Sequence, residues 1–185
     1  NDSDVFYNLG KMYLAEGDFR RAISYYEALL NVVTASDTFK FTEKDNSEII
    51  SLALNNLAIA YLRVEDLGMA KKLFLHAIQL APKSSIIRNN LGCIYLILGD
   101  LAYAQKYLDM VAESKRNFAD NSVSDEKLAS NKKLLSDVQR HTVGTNSKVE
   151  LISGPFIYDI KGGDYKYYLT NENAKADLLR NNLVW

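Results

Sequence analysis

Cysteine is almost absent from this 185-residue chain; Cys93 stands alone. A single thiol closes no internal disulfide and builds no cysteine-based zinc site. Histidine occurs only at His76 and His141, far apart and without neighbouring cysteines. Solvated or half-packed imidazoles are therefore expected, and metal ligation is not. No His-Glu-x-x-His, phosphate-loop or dinucleotide-binding spacing occurs, and Gly162-Gly163 reads as a turn and not as a phosphate cradle. The sequence thus offers no catalytic constellation, metal site or cofactor site, and a non-enzyme is expected. Long apolar runs are missing too. None approaches the ~20 residues of a membrane span. Neither sign of charge prevails, since 22 Lys and Arg meet 23 Asp and Glu for a formal charge of −1. That balance gives no global drive toward nucleic acid or an anionic membrane. Basic pairs such as Arg20-Arg21 and Lys71-Lys72 read as solvated outer faces. The lack of disulfides suits a cytoplasm and does not rule out a periplasm or a mitochondrion. The chain opens on Asn1 and not on Met, the mark of a trimmed or mature chain, so any targeting segment is out of view and the compartment stays open.

What the chain does contain is an internal repeat. Phe6-Tyr7-Asn8-Leu9-Gly10 continues to Tyr13, Gly17-Asp18-Phe19, Ala22 and Tyr26. The order returns as Leu54, Leu57, Ala58, Tyr61, Asp66-Leu67, Ala70, Phe74, Ala77 and Pro82, and again as Leu91-Gly92, Tyr95, Gly99-Asp100-Leu101 and Ala104. Leu57 and Leu91, Tyr61 and Tyr95, Asp66 and Asp100, and Ala70 and Ala104 are each 34 residues apart. Within each copy the apolar residues keep helical spacing, as in Leu57, Ala60, Tyr61 and Val64, then Ala70, Leu73, Phe74, Ala77 and Ile78. Gly17 and Gly99 suit the left-handed close of a helix, and Asp18, Asp66 and Asp100 suit the cap of the next. Small Gly10, Ala58 and Gly92 are expected opposite Ala22, Ala70 and Ala104, which lets two helices approach closely. Pro82 marks the end of the second copy.

Residues 37–50 intervene between the first and second copies and are expected either to lengthen a helix or to form a loop. After the third copy, Ser124 or Asp125 caps an expected helix over 126–141, with Leu128, Leu134, Leu135 and Val138 on its apolar side. Beyond it the character changes. Lys148–Ile152 reads as a strand. Phe156–Ile160 and Tyr165–Leu169 flank Lys161-Gly-Gly-Asp164, a β-hairpin signal, and 172–184 reads as a final helix.

This repeat strongly resembles the tetratricopeptide repeat family, with copies at about 3–36, 51–84 and 85–118. The resemblance implies an all-α fold, a right-handed superhelix of helical hairpins. In that reading residues 1–141 form the solenoid, closed by the helix at 126–141, and 142–185 form a small hairpin-and-helix extension. It also implies a non-catalytic adaptor that holds a segment of a protein or peptide partner in a concave groove, as part of a larger assembly. The groove is lined by the first helix of each repeat. By position its contacts are Tyr7 and Lys11 in the first copy, Asn55, Ile59 and Arg63 in the second, and Asn89, Cys93 and Leu96 in the third. An amide side chain offers both a donor and an acceptor, so Asn55 and Asn89 suit an extended peptide backbone. The chaperone-binding class of the family clamps a terminal carboxylate with several basic residues. Here Ile86 and Asn90 stand where that class places its third-repeat basic pair, so an apolar or amphipathic segment is the better match. The Asn-Asn-Leu-(Ala/Gly)-x-x-Tyr-Leu signature at 55–62 and 89–96 is also similar to repeat lipoproteins of tight-adherence pili and other pilotins. That likeness implies an alternative role as an assembly factor of a bacterial secretion or pilus system.

Overall fold

The computed structural model describes residues 2–35 and 44–142. Among these residues all regular structure is helical: α1 (Asp2–Glu16), α2 (Phe19–Ala35), α3 (Lys44–Arg63), α4 (Leu67–Leu80), α5 (Ser85–Leu98), α6 (Leu101–Phe118) and α7 (Asp125–Thr142). The six helices expected over 3–118 and the seventh near 126–141 are all present. The strand, hairpin and last helix expected beyond 142 lie outside the described residues.

Each turn inside a hairpin is built alike. Asp18, Asp66 and Asp100 each accept, through Oδ1, the backbone N–H three residues on, at 3.1, 2.9 and 3.3 Å. One of the orphan donors of each new helix is thereby satisfied. The residue before each aspartate is left-handed: Gly17 at φ 81°, Glu65 at φ 67° and Gly99 at φ 77°. Ser84 Oγ accepts from the Ile87 N–H at the start of α5, and Ser124 Oγ from the Lys127 N–H at the start of α7. Of the two capping candidates for α7, Ser124 is therefore the cap. With no proline after it, α6 ends on Ala119 in the left-handed conformation, φ 51°. Part of the 37–50 insertion resolves as helix, because α3 starts at Lys44 and gains about two turns before the repeat register begins.

The chain divides into two compact units, one comprising Asn1–Ile87 and the other beginning at Arg88. In the first unit α1 packs on α2, α2 on α3, and α3 on α4. Its core holds Ala22, Tyr26, Leu29, Ala53, Ile59, Ala60, Ala70, Phe74 and Ala77, all wholly buried. The second unit packs α6 on α7 and closes α5 against α6 through Gly92. Leu91, Ile94, Ala104, Leu108, Val111 and Val123 are wholly buried there.

The helix-approach expectation holds at Gly92, where the Ala104 carbonyl oxygen would stand 3.6 Å from an added Cβ, and the structure adds a detail to it. Ala22 and Ala104 are wholly buried, but the side chains that fill the space over the small residues lie one helical turn further on. A Cβ added at Gly10 would stand 2.8 Å from the Tyr26 ring, and one at Gly92 would stand 2.8 Å from Leu108 Cγ. The glycines are therefore sockets for Tyr26 and Leu108. The alanines keep that part of the second helix close enough for those side chains to enter.

Candidate functional site

The first-helix residues assigned to a partner fall into two environments. In the first unit Lys11 is exposed, whereas Tyr7 and Arg63 are half-buried. The Lys11 ammonium lies 5.7 Å from the Tyr7 ring centroid, and the Arg63 guanidinium lies 5.8 Å from that of Phe19. Such cation–π pairs fix the direction of a long side chain; the Lys11 side chain stays exposed, whereas Arg63 Nε is buried. Tyr7 meets the Tyr26 ring edge-on at 6.2 Å. Partial burial raises the Tyr7 phenol above its ordinary value, and a hydrogen bond with Asn56 opposes the rise. Phe19 also forms one wall of a shallow open depression of about 500 Å³, together with Glu16, Gly17, Asp18, Arg20 and Val64. Nothing in the repeat register pointed to that depression, because turn residues were read only as caps.

Behind this surface lies a buried polar chain. Asn55 Nδ2 donates to Asn56 Oδ1 at 3.2 Å, and Asn56 Nδ2 donates to the Tyr26 hydroxyl at 3.1 Å. Asn55 and Ile59 are wholly buried. Desolvation pushes the Tyr26 phenol strongly upward, so it stays protonated at any working pH. Nearby, the Tyr61 hydroxyl donates to Glu27 Oε1 at 2.6 Å. That bond, more than burial, moves its phenol to about 12.

In the second unit the three assigned residues of α5 are all buried, with Asn89 and Cys93 at 0 % exposure and Leu96 at 5 %. Asn89 Nδ2 donates to Asn90 Oδ1 at 3.3 Å, and Asn89 Oδ1 accepts from Asn131 Nδ2 of α7 at 2.9 Å. Burial pushes the Cys93 thiol up to about 12, against a hydrogen bond with Asn131, so the thiol is protonated and poorly nucleophilic. Sequence reasoning singled out the recurring asparagine pairs but missed Asn131. It read α7 by its apolar residues alone, and a lone asparagine among charged neighbours gave no signal.

The register thus brings Tyr7 and Lys11 together on α1. It places Asn55, Ile59, Asn89, Cys93 and Leu96 inside their own units, where the amides already bond to the chain itself. Aromatic rings hold the hairpins beside these positions. Tyr13 stacks on Tyr25 at 5.3 Å in the first unit, and Tyr95 on Tyr103 and Tyr107 at 5.0 and 5.7 Å in the second. No helix among the described residues is long and apolar enough to cross a membrane.

No curated protein matches the chain. Three family models, each described as a tetratricopeptide repeat, match residues 5–38, 52–84 and 73–106. The first two coincide closely with the first two copies read from the sequence. The third runs from within α4 through α5 into α6, and so straddles the second and third copies. Tetratricopeptide repeats are modules of protein–protein interaction and are typically non-catalytic. With two of these matches falling on a helical hairpin closed by a left-handed residue and an aspartate cap, the chain is a tetratricopeptide repeat protein.

Proposed function

We propose that this chain is a non-catalytic scaffold that holds an amphipathic segment of a protein partner against the first helices of its hairpins. The observation that carries the reading is the surface of α1 and α3 in the first unit. Lys11 is exposed, and Tyr7 and Arg63 are half-buried, at positions where the hairpin core does not call for polar groups. Two cations held over rings, with an aromatic body between solvent and core, suit a partner that brings a carboxylate beside an apolar residue. Asn55 and Ile59 in the first unit, and Asn89, Cys93 and Leu96 in the second, are buried in the free chain, so each set meets a partner only where a covering element moves aside.

The test has two stages. Affinity capture from the native cell followed by mass spectrometry supplies a partner, and titration calorimetry then measures its segment against variants of this chain. Lys11→Ala combined with Arg63→Ala is expected to weaken binding about tenfold, the loss of roughly 1.4 kcal/mol, with an unchanged helical spectrum. Equal affinity in the double variant would remove this surface from the site. Asn55→Ala and Asn89→Ala are poorer probes, because both amides are buried and bonded within the chain. Their loss costs about 1–3 kcal/mol of folding stability as well.

A further inference from the structure

On α5, two of the three side chains assigned to a partner are already engaged by α7. Asn131 donates to Asn89 Oδ1 at 2.9 Å and also bonds to the Cys93 side chain. A carboxamide is chemically a peptide group, so Asn131 gives Asn89 the same N–H contact that a partner backbone would give. Its own hydrogen bonding is incomplete. Asn131 is wholly buried, and among the described residues no donor reaches its Oδ1. A half-satisfied buried amide is a weak anchor.

The rest of the α7 attachment is modest. Leu128, Leu135 and Val138 supply its buried apolar side chains. Lys132 pairs with Asp109 at 2.7 Å and Lys115 with Asp125 at 3.0 Å, but three of those four side chains are a third or more exposed. Exposed ion pairs contribute little. By contrast α5 and α6 are interlocked, with Leu108 seated over Gly92 and Tyr95 stacked on two tyrosines of α6. Local opening begins where buried apolar contact is least, which among the described helices of this unit is α7.

We propose that α7 is a displaceable latch: Asn131 stands in for a partner backbone at Asn89, and moving α7 aside opens that face of α5. The inference rests on the reading of α5 as a partner-contacting helix, but its test needs no partner. Cys93 is the sole cysteine and is wholly buried, so its alkylation by a maleimide reports opening over that face. The labelling rate of the full chain is measured along a urea series below the unfolding transition, with circular dichroism on the same samples. A latch gives a labelling rate with a much weaker urea dependence than global unfolding. Asn131→Ala should raise the rate about tenfold, the effect of removing one buried hydrogen bond. Lys132→Gln, a surface change that spares the core, should raise it about two- to fivefold. Labelling that carries the full urea slope of unfolding, with Lys132→Gln at the wild-type rate, would overturn the latch. A working latch combined with unchanged partner affinity in the Lys11 and Arg63 variants would instead remove only the proposed binding surface.

Discussion

Glu65 holds a left-handed backbone, φ 67°, at the place where Gly17 and Gly99 hold φ 81° and 77° in the other two hairpins. Glycine meets no Cβ penalty there, whereas an L-residue with a side chain loses on the order of 1 kcal/mol. Glu65 is exposed. Glu65→Gly is therefore expected to stabilise the protein by roughly 0.5–1 kcal/mol, read as a raised urea midpoint at unchanged slope. A lowered midpoint would show that the Glu65 side chain makes a contact worth more than the strain. Gly92 poses the opposite balance. An alanine there gains about 1 kcal/mol of helix propensity, but its Cβ would stand 2.8 Å from Leu108 Cγ inside the core. Overpacking of that kind costs about 1–3 kcal/mol, so Gly92→Ala should destabilise on balance. A melt at or above the wild-type temperature would contradict the socket reading.

At the level of elements, α7 is joined to α6 in part by charge. Asp109 accepts from Lys132 at 2.7 Å and from Gln105 at 2.7 Å. Burial acts to raise its carboxyl, but those two bonds together with the nearby charges of Lys132 and Arg116 outweigh it and hold the group below its ordinary value of 3.8. A folded-state value below the unfolded one stabilises the fold at pH above the usual carboxylate range. The contribution is lost as pH falls through the folded value. The pair is largely solvent-exposed, so the loss is at most about 1 kcal/mol. We expect the thermal midpoint of Asp109→Asn to fall less than that of the wild type between about pH 5 and pH 3. Parallel curves would show that the pair contributes nothing measurable. The same elements explain why the sequence exposed the hairpins so readily. Asp18, Asp66 and Asp100 recur because each new helix needs a cap, and a capping aspartate after a left-handed residue is a local requirement that any reader of the chain can see. Asn131 answers a partner on another helix, 42 residues away in sequence, and no local rule marks it.

For the molecule as a whole, the rival to a binding surface on α1 and α3 is the C-terminal extension, residues 142–185, with its Tyr158 and Tyr168 hairpin signal. Deleting 142–185 separates the two once a partner segment is in hand. We expect affinity to change by less than about threefold, under 0.7 kcal/mol, with the helical spectrum of the remaining chain retained. Affinity lost beyond detection from a still-folded chain would move the site into the extension. Net charge adds nothing to this choice, because a formal charge of −1 steers no class of partner from a distance.

The sequence alone determined the repeat, the number and order of the helices over 3–141, the capping aspartates and the family. All of these follow from short-range rules of helical spacing, turn chemistry and a 34-residue register. It also determined which positions recur on the first helix of each hairpin. Only the tertiary structure decided what those positions do in the folded chain. Lys11 stays at the surface over the Tyr7 ring, while Asn55 bonds to Asn56 and Asn89 is taken by Asn131. Whether a side chain meets solvent or another helix depends on every element packed around it. Identical registers in α3 and α5 therefore end in different surroundings, and α7, which lies outside the repeat, sets those of α5.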